Sequence, residues 1–255
     1  MTTSKRISYS ISVTILAVSA LFWIILLFNP GGIMTVKHCH VTLEGPSKAS
    51  LQMMLQMNPV SDLMTGWTLM VLAMMLPKLI APVQYIYNRS FKNRRFASAL
   101  LFIFGYTAVW IVMGFFMNAI IVGLNLLLPN SYIPAIGVGM IAVIWQFSPV
   151  KQRCLNRGHD HLPLAAFGPE ANRDAIMFGI MHGVWCVGAG WALMLFPMLL
   201  PAGHNLAMIV VTFIMISEHM EHPKFPRWHF SFRLKLLRVI MARTKSNLKT
   251  ALNSN

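Results

Sequence analysis

The chain has 255 residues, of which 56% are hydrophobic and 11% charged, and its 21 Lys and Arg against 7 Asp and Glu give a formal net charge of +14. So apolar a composition excludes a disordered chain. The basic excess sits in short connections between long apolar stretches, which ties it to anionic lipid headgroups and excludes a nucleic-acid partner.

The first apolar stretch, residues 9–28, follows Lys5 and Arg6. It has the length of a membrane span and no clear small-residue cleavage site, so it reads as a retained anchor rather than a cleaved signal peptide. The connection at 29–61 carries only Lys37 and Lys48. It holds the run His38, Cys39 and His40, a candidate capture point for a soft metal ion, with Met53, Met54 and Met57 downstream.

The second stretch, 64–87, places Met70 and Met74 four residues apart on one helix face, with Met75 adjacent. Pro77 predicts a kink just below them. Lys78 follows one turn after Met74 and is expected to snorkel to the inner face. Arg89, Lys92, Arg94 and Arg95 then precede the third stretch, 96–128.

The fourth stretch, 133–150, leads into Lys151, Arg153 and Arg157, among which lie Cys154, His159 and His161. The fifth, 175–200, holds His182 and Cys186 at i, i+4, hence on one face, with Met177, Met181 and Met194 on the same helix. An imidazole inside a membrane helix needs a partner, and a metal or a hydrogen bond to a neighbouring helix serves equally. Gly179 and Gly183 form a small-xxx-small pair, followed by Gly188 and Gly190, so this helix is expected to approach a neighbour closely.

The sixth stretch, 205–217, is the weakest and runs into Glu218, His219, Glu221 and His222. Glu218 and His222 share a face if the helix continues. These groups read first as solvated interfacial side chains, and second as an exit site for a metal. Residues 228–255 form a basic tail that reads as an amphipathic helix on the membrane surface or as a disordered segment.

The fold expected is all-α: a polytopic membrane helical bundle of about six transmembrane helices over residues 1–227, with an extracytoplasmic loop at 29–61 and a cytoplasmic tail at 228–255. Lys and Arg fall on every second connection, so the positive-inside rule places both termini in the cytoplasm. Three cysteines, Cys39, Cys154 and Cys186, imply no disulfide framework. No phosphate-binding glycine loop, H-E-x-x-H helix or Ser-His-Asp arrangement is present, and no enzymatic activity is expected.

The segments W-T-L-M-V-L-A-M-M-L-P from Trp67, Q-F-S-P-V-K-Q-R-C-L from Gln146 and H-G-V-W-C-V-G-A-G-W-A-L-M from His182 occur in that order. In these the chain resembles a bacterial family of predicted metal-binding integral membrane proteins, described as copper-chaperone-like. The resemblance implies an inner-membrane, multi-pass protein that handles a metal, with Met70, Met74, Met75, Cys154, His182, Cys186 and Met194 as candidate ligands. Where that family carries a cysteine pair before W-A-L-M, this chain has Ala189 and Gly190, and Gly158 replaces a second inner-loop cysteine.

The leading expectation is therefore a soft-metal protein that binds copper as Cu(I) for delivery or transport. Met70, Met74, His182 and Cys186 form its intramembrane site in this reading, and its partners are membrane lipid and a metal-receiving protein. A metal-free accessory subunit that packs through the glycine-rich fifth helix is the alternative. A haem protein using His182 and Met74 as axial ligands is a third.

Overall fold

The computed structural model describes residues 3–28, 48–129, 131–165, 167–228 and 235–253, and among these there are only helices and their connections. In chain order they are α1 (Thr3–Phe28), α2 (Lys48–Met57), α3 (Val60–Met75), a 3₁₀ turn (Leu76–Leu79), α4 (Ile80–Arg89), α5 (Arg95–Leu127), α6 (Ile133–Phe147), α7 (Pro149–Arg157), α8 (Gly168–Met198), α9 (His204–His219) and α10 (Lys235–Asn253).

Four runs are long and apolar enough to cross a membrane: Arg6–Phe28, Val60–Arg89, Arg95–Leu127 and Gly168–Met198. The α6 and α7 pair is a fifth, bent by 67°. Helix α9 is apolar but only 16 residues long, short of the roughly 20 that a span perpendicular to the membrane needs. Of the six stretches expected, the fourth is thus broken at Ser148 and the sixth is short. The 29–61 connection is not wholly a loop either, because α2 lies within it.

Each break has a local cause. Pro77 has no amide proton to offer the carbonyl of Ala73 and crowds it, so the helix tightens into the 3₁₀ turn. The freed Ala73 carbonyl instead accepts a hydrogen bond from the Ser19 hydroxyl of α1 at 2.7 Å, which latches α1 to the broken span. At the α6–α7 corner, Ser148 is extended and its hydroxyl oxygen accepts from the amides of Val150 and Lys151, with Pro149 in the first turn.

Helix α8 is the centre of the bundle and packs on α5, α6, α7 and α9. Its contact with α5 is backbone to backbone. A Cβ on Gly179 would stand 2.2 Å from the Phe102 carbonyl oxygen, and one on Gly105 would stand 2.5 Å from that of Ile176. The expected close approach is thus made within the chain, and the other glycines of α8 are used likewise, Gly188 against Cys154 and Gly190 against Met215. Trp67 of α3 seats its ring over Gly114 and donates from Nε1 to the Trp110 carbonyl at 2.8 Å, fixing α3 on α5.

The outward faces are nearly as apolar as the core. Phe104, Phe116, Ile136, Met140, Ile144 and Leu206 are each at least 60% exposed or within one percentage point of it.

Candidate metal centre

The 3₁₀ turn after α3, the corner helix α7 and the facing segments of α8 and α9 converge, with Tyr106 of α5 beside them. There the side chains of Lys78, Cys154, His182, Trp185, Cys186 and His219 line a single cleft, with Leu155, Gly158 and Ala189 completing it. Their approach follows from the breaks: the Pro77 turn carries Lys78 inward, and the 67° bend at Ser148 turns α7 so that Cys154 lies over Gly188 of α8.

Cys186 is the most elaborated of these groups. The Lys78 ammonium donates to its sulfur at 3.2 Å and the Tyr106 hydroxyl donates at 3.1 Å. All three side chains are buried. Two donors aimed at one sulfur make Cys186 the acceptor at the centre of a buried polar cluster.

His182 stands one turn before Cys186, as the i, i+4 spacing predicts, and is enclosed by rings. Phe102 and Tyr106 lie 5.8 Å from it between ring centroids, Phe178 6.2 Å and His219 6.0 Å. His219 also stacks on His159 at 5.2 Å. Both ring nitrogens of His159 face carbonyl oxygens, those of Leu155 and His219, so His159 braces the cleft rather than presenting a free lone pair to it. His161 packs edge-on to Tyr85.

Among the described residues no three His, Cys, Asp or Glu side chains stand at ligating distance from a common point. The cleft therefore brings donors together without a closed coordination shell. Both described cysteines, Cys154 and Cys186, are free and buried.

The methionines are placed differently from the thiols. Met70, Met74, Met75 and Met194 are fully buried and belong to the same apolar core as Cys186, yet none of them lines the cleft. Met53 and Met57 lie exposed on α2. His38, Cys39 and His40 lie outside the described residues.

Four sequence expectations are corrected. Lys78 does not snorkel: it is 5% exposed and bound to Cys186, because the Pro77 turn points it across the bundle. Lys151 does not hold a loop to headgroups: it is fully buried and pairs with Glu218 at 2.8 Å. Glu218 is therefore a core ion-pair partner rather than a solvated group. Its other oxygen accepts from the Gln146 amide, and Lys151 also donates to the Gln146 side-chain oxygen at 2.6 Å. Helix α9 ends at His219, so Glu218 and His222 do not share a helical face.

Tyr106 was not among the candidates, since it lay within a stretch read only for its apolarity. Phe102, Tyr106 and Trp110 recur every four residues and make the buried stripe of α5 that faces α3 and α8. That spacing was available in the sequence, but the sulfur it meets lies 80 residues away.

A family model described as "PpoB2: Copper chaperone" matches residues 64–229. No curated protein and no solved structure matches the chain.

Proposed function

The chain belongs to the PpoB2 copper-chaperone family, and from that premise we propose that it is an inner-membrane chaperone that holds Cu(I) in the cleft between α7, α8 and α9 and passes it to a receiving protein. The observation that carries the reading is the meeting of Cys154, Cys186, His182 and His219 on one cleft of the bundle. Thiolate and imidazole together suit Cu(I) among the available metals.

The charge balance explains Lys78. Cu(I) held by two thiolates is an anionic unit, and an uncompensated charge among buried helices is costly. The Lys78 ammonium supplies the opposite charge at the sulfur itself, and Tyr106 adds a second hydrogen bond. Loading requires Cys154 and Cys186 to turn toward one ion, with Lys78 and Tyr106 remaining beside the metal-bound sulfur. The buried methionines Met70, Met74, Met75 and Met194 form the apolar wall behind the site.

The outward apolar faces support the membrane-integrated part of this reading. In this reading the four long runs, the bent α6–α7 pair and the short α9 make six crossings, and the basic connections put both termini in the cytoplasm. The role is carriage of an ion rather than catalysis.

Copper content of the full chain, purified anaerobically without added metal, tests the proposal. Near-stoichiometric copper is expected in the native protein, most of it lost in Cys186→Ser and in Cys154→Ser, and retained in Met74→Leu. Unchanged copper in both cysteine variants overturns the cleft as the site. Copper lost only in Met74→Leu moves the site to the methionine wall.

A further inference from the structure

Helix α10, Lys235–Asn253, stands apart from the copper cleft chemically but is fastened to the same end of the bundle. The Leu236 amide donates to the Ser217 hydroxyl at 3.1 Å, and the Lys235 ammonium donates to the Met220 carbonyl at 2.6 Å. Arg238 approaches Glu221 at 3.9 Å. These contacts hold the first turn of α10 against the last turn of α9, next to Glu218 and His219.

Beyond that first turn the helix has two unlike faces. Leu237, Ile240 and Met241 lie on one side at helical spacing, and their exposures of 40%, 47% and 54% show that the protein covers them only in part. Lys235 and Arg243 lie on the side away from them, Arg238 and Lys245 border the stripe, and the helix contains no Asp or Glu.

An apolar stripe bordered by cations and free of acidic residues fits a bilayer surface, with the stripe at the acyl boundary and the cations among anionic headgroups. A soluble acidic partner would meet the cations but leave the stripe uncovered. The basic residues of the α4–α5 connection, Lys92, Arg94 and Arg95, belong in the spanning reading to the same side of the membrane as α10.

From this arrangement we infer that α10 is an in-plane helix that binds anionic phospholipid at the face where the cleft lies, and that its first turn ties that lipid contact to the end of α9. The inference rests on the membrane-spanning reading above and is independent of copper.

Hydrogen exchange on the full chain tests it, in nanodiscs of phosphatidylcholine alone and of phosphatidylcholine with phosphatidylglycerol. Amides of 237–245 are expected to exchange at least tenfold more slowly in the anionic discs. Reversal of two exposed cations, Arg243→Glu with Lys245→Glu, is expected to abolish the difference while leaving exchange in α5 and α8 unchanged. Rapid exchange of 237–245 in both discs, or equal protection in both, overturns the anionic-lipid contact. Failure of the chain to enter either disc overturns the spanning reading, and this inference with it.

Discussion

The Ser19 hydroxyl reaches the Ala73 carbonyl at 2.7 Å, and that carbonyl is the one Pro77 leaves without its helical donor. One side chain on α1 thus completes the backbone of another span. Leaving a buried carbonyl without its donor costs about 1–3 kcal/mol. Ser19→Ala is expected to lower stability by that amount in an SDS unfolding titration. In a Pro77→Ala background, where residue 77 regains its amide, the same change is expected to cost clearly less, and equal costs in the two backgrounds would refute the latch.

Gly179 and Gly123 separate packing from propensity. A Cβ on Gly179 meets the Phe102 carbonyl at 2.2 Å, which is backbone and cannot swing aside, whereas one on Gly123 meets nothing within 4 Å. Gly179→Ala is expected to destabilise by about 1–3 kcal/mol as α5 and α8 part. Gly123→Ala, measured like Gly179→Ala by SDS unfolding titration, is expected to be neutral or stabilising by up to about 1 kcal/mol.

Lys151 and Glu218 form an ion pair with side-chain exposures of 0% and 3%. Removing either partner strands a buried charge, at a cost of about 3–5 kcal/mol. Lys151→Met and Glu218→Gln are each expected to reduce the folded yield in detergent severely. The double variant Lys151→Met with Glu218→Leu is expected to recover much of it, and a double variant as poor as the singles would show that the pair is not the cause.

The link between α10 and α9 is expected to weaken in acid. Burial raises the Glu221 carboxyl, but the hydrogen bond and charge of Lys224, then the charges of Arg238 and Lys235, outweigh it and hold the group below its usual value of 4.5. A carboxyl depressed in the folded state stabilises above its unfolded value, and that contribution disappears as pH falls through the folded one. A spin label on Ile240→Cys in detergent is expected to be steady above pH 4.5 and to gain mobility below it. Glu221→Gln is expected to show the mobile signal already at neutral pH.

Periodicity and punctuation carried most of the fold. The apolar stretches mark the helices, Pro77 marks the 3₁₀ turn, and the i, i+4 spacing of His182 and Cys186 puts both on one cleft. What it could not carry was contact between helices far apart in sequence. Lys78 meets Cys186 across 108 residues and Tyr106 meets it across 80, and neither pairing leaves a local pattern. Cys154 was legible as a candidate, but its place over Gly188 depends on the bend at Ser148, inside the stretch 133–150, and a Ser-Pro helix start there sets no angle.

The Lys151–Glu218 pair also orders the birth of the protein. Helix α9 carries near its end a carboxylate whose cationic counterpart sits on α7, so α9 can close onto the core only once the α6–α7 corner has formed. A chain whose corner is misformed leaves Glu218 without its ammonium, and α9 then stays undocked.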